Sequence, residues 1–328
     1  MRQSPPPERT ILGLDVGGTK TAIVEGTSEA EILWRAEILT ESWRPFDDVF
    51  PRLVELMTQT IAAAAQSGRQ IIAVSVAIGG PLRIQAGVLI DPPHLPGWHG
   101  VQLKDRLSAA FPTLPVCLEH DGNAGALAEF HFGIGRGRSD LRHLIFLTFG
   151  TGLGAGLIIN GQVLHGATET AGEVGHWRLA PAGPVGFGKA GSWEGFASGA
   201  GLVLLANQMS PHRWSVETPI HELVRAMLAD DPEALLIAEE AGRMMGYGMA
   251  LLIDALNPQV IVLGSLAVAL GDRVLASARR VATEEALPQA VAACEIVPSV
   301  LGKKIGDVAA LMAVISHPEF RKLLNAEK

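Results

Sequence analysis

Apolar positions in this chain gather into short runs that end in glycine turns, separated by longer stretches of helical period. Ile11–Glu25 reads ILGLDVGGTKTAIVE: an apolar run, a polar turn from Asp15 to Lys20, and a second apolar run. That pattern predicts two strands joined by a tight turn. Leu144–Ile159, LIFLTFGTGLGAGLII, repeats the device about half a chain later. Two such hairpins predict two similar α/β domains facing each other across a cleft, each offering one loop. Between them, Glu31–Leu39 is expected to add a third strand. Phe50–Gln66 reads as an amphipathic helix through Leu53, Leu56, Met57 and Ile61, ended by Gly68. Ile71–Ile78 is a buried strand running into Gly79-Gly80-Pro81, a strand end of the kind that faces ligands in α/β proteins.

The rest of the chain follows the same reading. Val101–Phe111 is a short helix, Val116–Leu118 a short strand and Ala124–Phe132 a helix of small residues. Asn160-Gly161 marks a turn. Trp193–Gly199 opens a helix, Asn207–Pro219 is a loop, and helices cover Ile220–Leu228 and Pro232–Leu256. Met244, Met245, Met249 and Leu252 are core positions of the last. Gln259–Leu263 is a buried strand that enters Gly264-Ser265, a turn opening a helix over Val268–Arg280. Ile305–Ile315 is the final helix.

Composition narrows the class. The chain has 328 residues, 48% hydrophobic and 18% charged, ample for two packed domains. A net charge of −8 argues against a broad nucleic-acid surface. The two cysteines, Cys117 and Cys294, have no metal-ligand neighbours at zinc spacing, so a reduced cytoplasm is the expected compartment. The first residues lack the apolar core of a signal peptide, Pro5-Pro6-Pro7 reads as a loose tail, and no membrane association is expected.

Candidate chemistry sits in the turns. Gly17 and Gly18 let backbone N–H groups approach a phosphate, and Thr19 or Lys20 can donate to it. Asp15 suits an anion site only with a divalent metal between it and the phosphate; otherwise the stretch is a hairpin with a solvated tip. The proline-stiffened loop Asp91–Trp98 is either a packed elbow or a pocket wall. Glu119-His120-Asp121-Gly122-Asn123 stands between a strand and a helix. There Asp121 and Asn123 serve either as helix caps or as functional groups. Glu173 and His176 read alone as a surface pair, and Glu194 as a carboxylate favoured at a helix start.

Taken together, these residues resemble the ROK family of sugar kinases and related repressors, over roughly Ile11 to Ile315. Asp15-Val16-Gly17-Gly18-Thr19-Lys20 matches the first phosphate motif and Gly150-Thr151-Gly152 the second. Pro96-Gly97-Trp98 matches the end of the sugar-side loop, and Glu119–Asn123 resembles the E-N-D-A-N segment. Gly172-Glu173-Val174-Gly175-His176 matches G-E-x-G-H, and Gly264-Ser265 falls at the adenosine turn. The resemblance implies an actin-like (ribonuclease H-like) fold of two α/β domains. The first would be residues 1–122, with about 305–328 packing back on it, and the second residues 123–304. It implies ATP-dependent phosphorylation of a hexose or N-acylhexosamine at the 6-hydroxyl, with Asp121 as general base. Gly17, Gly18, Thr19, Lys20, Gly150, Thr151, Gly152, Gly264 and Ser265 would hold ATP, and Asp15 would hold Mg²⁺. Gly80, His120, Asn123, Glu173, His176 and Glu194 would bind the sugar. A homodimer is the family expectation.

Three departures qualify that expectation. The family's C-x-C-G-x-x-G-C-x-E motif binds structural zinc with the G-E-x-G-H histidine, but Val185, Phe187 and Ser192 occupy its cysteine places, so no structural zinc is expected. The glycine-rich connection would then hold itself by packing through Phe187 and Trp193. His120 replaces a sugar-binding asparagine, which bears on the choice of sugar. Ser265-Leu266 replaces glycines at the adenosine turn. A repressor would need a winged helix before the first phosphate motif, and only fourteen residues precede Asp15. A sugar sensor without catalysis is the other alternative.

Overall fold

The computed structural model describes residues 7–320. Pro5 and Pro6 of the expected tail, and residues 321–328 of the returning segment, lie outside the described residues. The chain forms two compact units. One takes in residues through Ala128, Gly166–Thr170 and the chain from Lys304; the other takes in Glu129–His165 and Ala171–Lys303.

The first unit is built on a five-stranded sheet. Strands β1 (Glu8–Val16), β2 (Lys20–Gly26) and β3 (Ile32–Leu39) form an antiparallel meander. Helix α1 (Phe46–Gln66) leads to β4 (Arg69–Ile78), which lies parallel to β1. A small hairpin, β5 (Leu82–Arg83) and β6 (Val88–Leu89), precedes helix α2 (Leu103–Ala110). Strand β7 (Val116–His120) then joins β4 in parallel and runs directly into helix α3 (Asp121–Phe132), giving the order β3-β2-β1-β4-β7. Helix α1 begins a turn earlier than its apolar period predicts. Pro45 precedes it in extended geometry, Asp47 and Asp48 favour its first turn, and Phe46 packs edge-on against Trp98, with centroids 5.0 Å apart. Pro51 lies inside it, at the cost of one backbone hydrogen bond.

The second unit repeats the plan. Strands β8 (Leu144–Leu147), β9 (Ala155–Ile159) and β10 (Gln162–Val163) form its antiparallel part. Asn160 and Gly161 both take positive φ at the β9–β10 turn, as the sequence predicts. A second small hairpin, β11 (Val185–Gly186) and β12 (Lys189–Ala190), is followed by helices α4 (Trp193–Ala197), α5 (Gly199–Met209), α6 (Ile220–Leu228) and α7 (Pro232–Leu256). Strand β13 (Val260–Leu263) runs parallel to β8. Helices α8 (Leu266–Leu270), α9 (Asp272–Glu285) and α10 (Pro288–Ala292) lead to β14 (Glu295–Pro298), parallel to β13. The order is β10-β9-β8-β13-β14: again an antiparallel three-strand half and a parallel half.

Helix α11 (Ile305–Ile315) belongs to the first unit, where it packs on β1, β2, β4 and β7. The first sheet is therefore buried on both faces. Leu12, Leu14 and Val16 share a core with Val49, Leu53 and Met57 of α1. The alternate positions face α11. A side chain at Gly13 or Gly26 would strike Leu311, so both glycines let the helix lie directly on the sheet.

Several boundaries differ from those the sequence predicts. Strand β7 reaches His120 and α3 starts at Asp121, so the cluster Glu119–Asn123, expected between a strand and a helix, is divided between the two with no residue intervening. The helix over Val268–Arg280 is two helices broken at Gly271, whose φ is +56°. Helix α4 stops at Ser198, and α5 continues to Met209 on the buried residues Leu202, Val203, Leu205 and Ala206, shortening the loop expected from Asn207. Helix α10 and strand β14 have no predicted counterpart.

Trp193 is fully buried in the second core, parallel to Trp177 at 5.7 Å. A Cβ at Gly248 of α7 would lie 2.1 Å from the Trp193 indole. Alanine gains about 1 kcal/mol in helix propensity over glycine, but here the ring cannot yield into a packed core. Gly248→Ala is expected to destabilise the protein by about 1–3 kcal/mol, read as a lower urea midpoint.

Candidate active site

Three contacts fix the first glycine turn. The Gly17 amide donates to the Lys20 carbonyl at 3.0 Å, the Thr40 hydroxyl to the Gly17 carbonyl at 2.7 Å, and the Thr40 amide to the Thr19 carbonyl at 2.9 Å. Thr40, at the end of β3, is fully buried and also shares a hydrogen bond with Thr21. The loop Asp91–Trp98 leans on the same turn. A Cβ at Gly18 would meet the His94 carbonyl at 2.6 Å, and the Gly97 amide donates to Ser42. Lys20 turns its ammonium to Glu37 of β3 at 2.6 Å, and Arg35 bridges Glu37 to Asp307 of α11 at 2.9 Å each. Ions therefore tie the turn to the first residues of α11.

Asp15 is the last residue but one of β1, on the face that meets α11. Its half-buried carboxylate approaches Gly306 in the first turn of α11, where an added Cβ would lie 2.5 Å from Oδ2. Among the described residues it accepts no hydrogen bond and makes no ion pair. Burial raises its pKa from 3.8 to about 7. The negative charges of Asp121 and Asp307 add to that, and Arg35 opposes it.

Asp121 opens α3, where the helix dipole favours a carboxylate. Its Oδ1 accepts from the Gly122 amide at 2.7 Å, and its Oδ2 faces Gly79 at the end of β4. The side chain is 45% exposed, so Oδ2 is open to a substrate. His120 precedes it, 8% exposed, with its ring against Gly80; a Cβ there would come within 2.7 Å of the imidazole. Its Nδ1 lies 3.3 Å from both the Gly122 amide and the Asp121 carboxylate. Glu119, buried and absent from the predicted site, organises the junction: one oxygen accepts from the His120 amide and from the Asn123 side chain, each at 2.9 Å. Asn123 is thus no helix cap. It is 2% exposed, and its Oδ1 is a buried acceptor with no partner, ready for a hydroxyl donor.

In the second unit, Gly150-Thr151-Gly152 forms a closed turn, with the Gly150 amide on the Gly152 carbonyl. The first N–H groups of α5 hold it: Gly199 donates to the Gly150 carbonyl at 2.7 Å and Ala200 to the Thr151 carbonyl at 3.3 Å. Phe149 and Ser265 flank the turn with φ of +30° and +35°, backbone strain concentrated at one place. Ser265 thus adopts the left-handed geometry of a glycine, and its hydroxyl lies near Gly150; Gly264 is pressed against Phe146 and the Thr148 carbonyl. Glu194, in the first turn of α4, accepts from the Leu153 amide at 2.9 Å. Glu173 precedes the short turn Val174–His176, and the exposed His176 ring stacks on Phe187.

Of the predicted residues, the first unit brings together Asp15, the glycine turn, Gly80, His120, Asp121 and Asn123. The second brings together Gly150–Gly152, Gly264, Ser265, Glu173, His176 and Glu194. Among the described residues no three His, Cys, Asp or Glu side chains are arranged to hold a metal, and no helix is long and apolar enough to cross a membrane.

The order of these motifs matches the ROK family profile over residues 11–316. This chain belongs to the ROK family. A glucokinase of Streptomyces coelicolor is 32% identical over 286 residues, spanning 82% of this chain and 86% of that protein. The ROK hexokinase from Thermus thermophilus is 30% identical, with a TM-score of 0.74 over 93% of this chain and 97% of that one. A ROK transcriptional regulator, a homolog of the MLC protein of E. coli, gives a TM-score of 0.84 over 99% of this chain and 83% of that one. At 23% identity that likeness is one of fold. The fold is the actin-like one of ROK proteins, two α/β units with matching sheet orders.

Proposed function

We propose that this ROK protein transfers the γ-phosphoryl group of ATP to the 6-hydroxyl of a hexose or N-acylhexosamine. The observation that carries this reading is the Asp121 carboxylate: one oxygen is committed to Gly122, the other is open, and the buried acceptor of Asn123 lies two residues on. In the reading, Asp121 accepts the hydroxyl proton as the sugar oxygen bonds to the γ-phosphorus. The bond from that phosphorus to the β,γ-bridging oxygen breaks, leaving sugar phosphate and ADP. Phosphoryl transfer needs positioning and charge neutralisation more than covalent help. Gly17, Gly18, Thr19, Gly150, Thr151, Gly152, Gly264 and Ser265 are read as nucleotide contacts, and Gly80, His120, Asn123, Glu173, His176 and Glu194 as sugar contacts. Lys20 serves as a strut through Glu37.

Asp15 is the residue that would hold a divalent cation: among the described residues its carboxylate has no hydrogen-bond or ion-pair partner, and the negative charges of Asp121 and Asp307 bear on it. Mg²⁺ bound there would neutralise phosphate charge, a typical role of one or two carboxylates in such sites.

ADP release with Mg·ATP against glucose, mannose, fructose, N-acetylglucosamine and N-acetylmannosamine tests the reading. One sugar is expected to drive turnover well above the basal rate. Tight binding of a sugar with no ADP release would assign the protein as a sensor and overturn the kinase reading.

A further inference from the structure

The ROK motif implies a structural zinc held by three cysteines with the G-E-x-G-H histidine. Here Val185, Phe187 and Ser192 stand in those places, and none supplies a thiolate. The residues do not fit the metal, and the structure gives two of them other work.

Strands β11 and β12 pair through Val185 with Ala190 and Gly186 with Lys189. Their two-residue turn is Phe187-Gly188, with φ of +52° and +64°, the handedness that a tight hairpin requires. At its tip the Phe187 ring stacks on His176, with centroids 3.9 Å apart and planes at 28°. Lys189 grips the same residue from the other end, donating from Nζ to the His176 carbonyl at 2.7 Å. Ser192 closes the base. Its hydroxyl donates to the Gly186 carbonyl at 3.0 Å, accepts from the Gly186 amide at 3.1 Å, and caps α4 by accepting from Gly195 at 3.2 Å. Helix α4 carries Glu194. Gly175 lies between the two: an added Cβ would be 3.2 Å from both the Phe187 ring and the Glu194 Cβ.

We infer that hairpin β11–β12 is a metal-free clamp that presents His176 to the sugar beside Glu194, with Phe187 and Lys189 as positioning residues. This rests on the sugar role assigned to His176 under the proposed function. An exposed imidazole otherwise samples several rotamers, and a stack on one face with a tether on the backbone removes that freedom before binding. An aromatic stack of this kind is worth a few-fold in affinity, so Phe187→Ala is expected to raise the sugar KM about three- to tenfold, with kcat little changed. Phe187→Tyr restores it.

The readout independent of turnover is the proton NMR signal of the His176 ring, assigned with His176→Gln. In the wild type the Phe187 ring current moves it upfield. Phe187→Ala and Phe187→Leu, the latter keeping apolar bulk, return it downfield, while Phe187→Tyr leaves it upfield. Purified protein is expected to carry no zinc, and treatment with 1,10-phenanthroline before the assay leaves sugar affinity unchanged. The clamp is overturned by one zinc per chain, by ring signals that ignore Phe187→Ala, or by signals that move while KM does not. Unchanged sugar affinity in His176→Gln is a separate failure: it removes His176 from the sugar site and with it that part of the proposed function.

Discussion

Asp121→Asn is expected to lower turnover by about 10²–10⁴-fold, the usual contribution of a general base, while sugar affinity stays within a few-fold. The amide keeps the volume and the acceptor for the Gly122 amide. It preserves the start of α3, and Glu119 still holds Asn123 and the His120 backbone. What disappears is a basic oxygen over Gly79. Sugar binding by calorimetry and ADP release by a coupled assay separate the two effects. Loss of binding equal to the loss of rate would make Asp121 a sugar ligand first and deny it the role of base.

The second large effect belongs to Asp15→Asn, and it has opposite signs for rate and stability. Turnover with Mg·ATP should fall by roughly 10²–10³-fold, as expected when charge stabilisation is removed at a phosphoryl site. Stability of the ligand-free protein should rise above neutral pH. The folded chain holds the Asp15 proton up to about 7 and the unfolded chain only to 3.8. This group's contribution is therefore most favourable below 3.8, and it is lost as pH climbs through about 7. A shift of that size has a ceiling of about 4 kcal/mol, and solvent reaching the half-buried carboxylate brings it to about 2 kcal/mol. Urea midpoints at pH 5 and pH 8 check it: the variant should gain on the wild type chiefly at pH 8. Equal midpoints at both values would mean that the Asp15 carboxylate titrates normally.

Much of this site is legible along the chain because its turns carry their own chemistry. The Asp15–Lys20 turn and its partner at Gly150 announce themselves by glycine between apolar runs, and matching hairpins lead correctly to two sheets of one plan. The junction at Glu119–Asn123 is harder. The polar run reads as a strand's end and a helix's start without showing where they meet; the Glu119 and His120 side chains satisfy the backbone and let β7 pass straight into α3. An Asn123 side chain four residues beyond Glu119 was the available signal for that pairing. Thr40, Phe149 and Gly306 left none, because each acts through a partner far away in sequence or through a backbone angle. Strand β14 and helix α10 escaped for another reason: among their residues none is fully buried, so their hydropathy pattern has little contrast.

Helix α11 makes the first unit depend on chain that the ribosome delivers late. Strand β7 ends at His120 and α11 ends at Ile315. At about 5–20 residues per second, translation separates them by roughly 10–40 s. During that interval the β1–β4 surface around Gly13 and Gly26 has no cover, and a bare apolar sheet face is what holdase chaperones recognise. The nascent first unit should therefore be a chaperone client until the α11 segment emerges. The carboxylate of Asp15 meets Gly306, and the Lys20–Glu37–Arg35 chain reaches Asp307, only after the second unit has been translated.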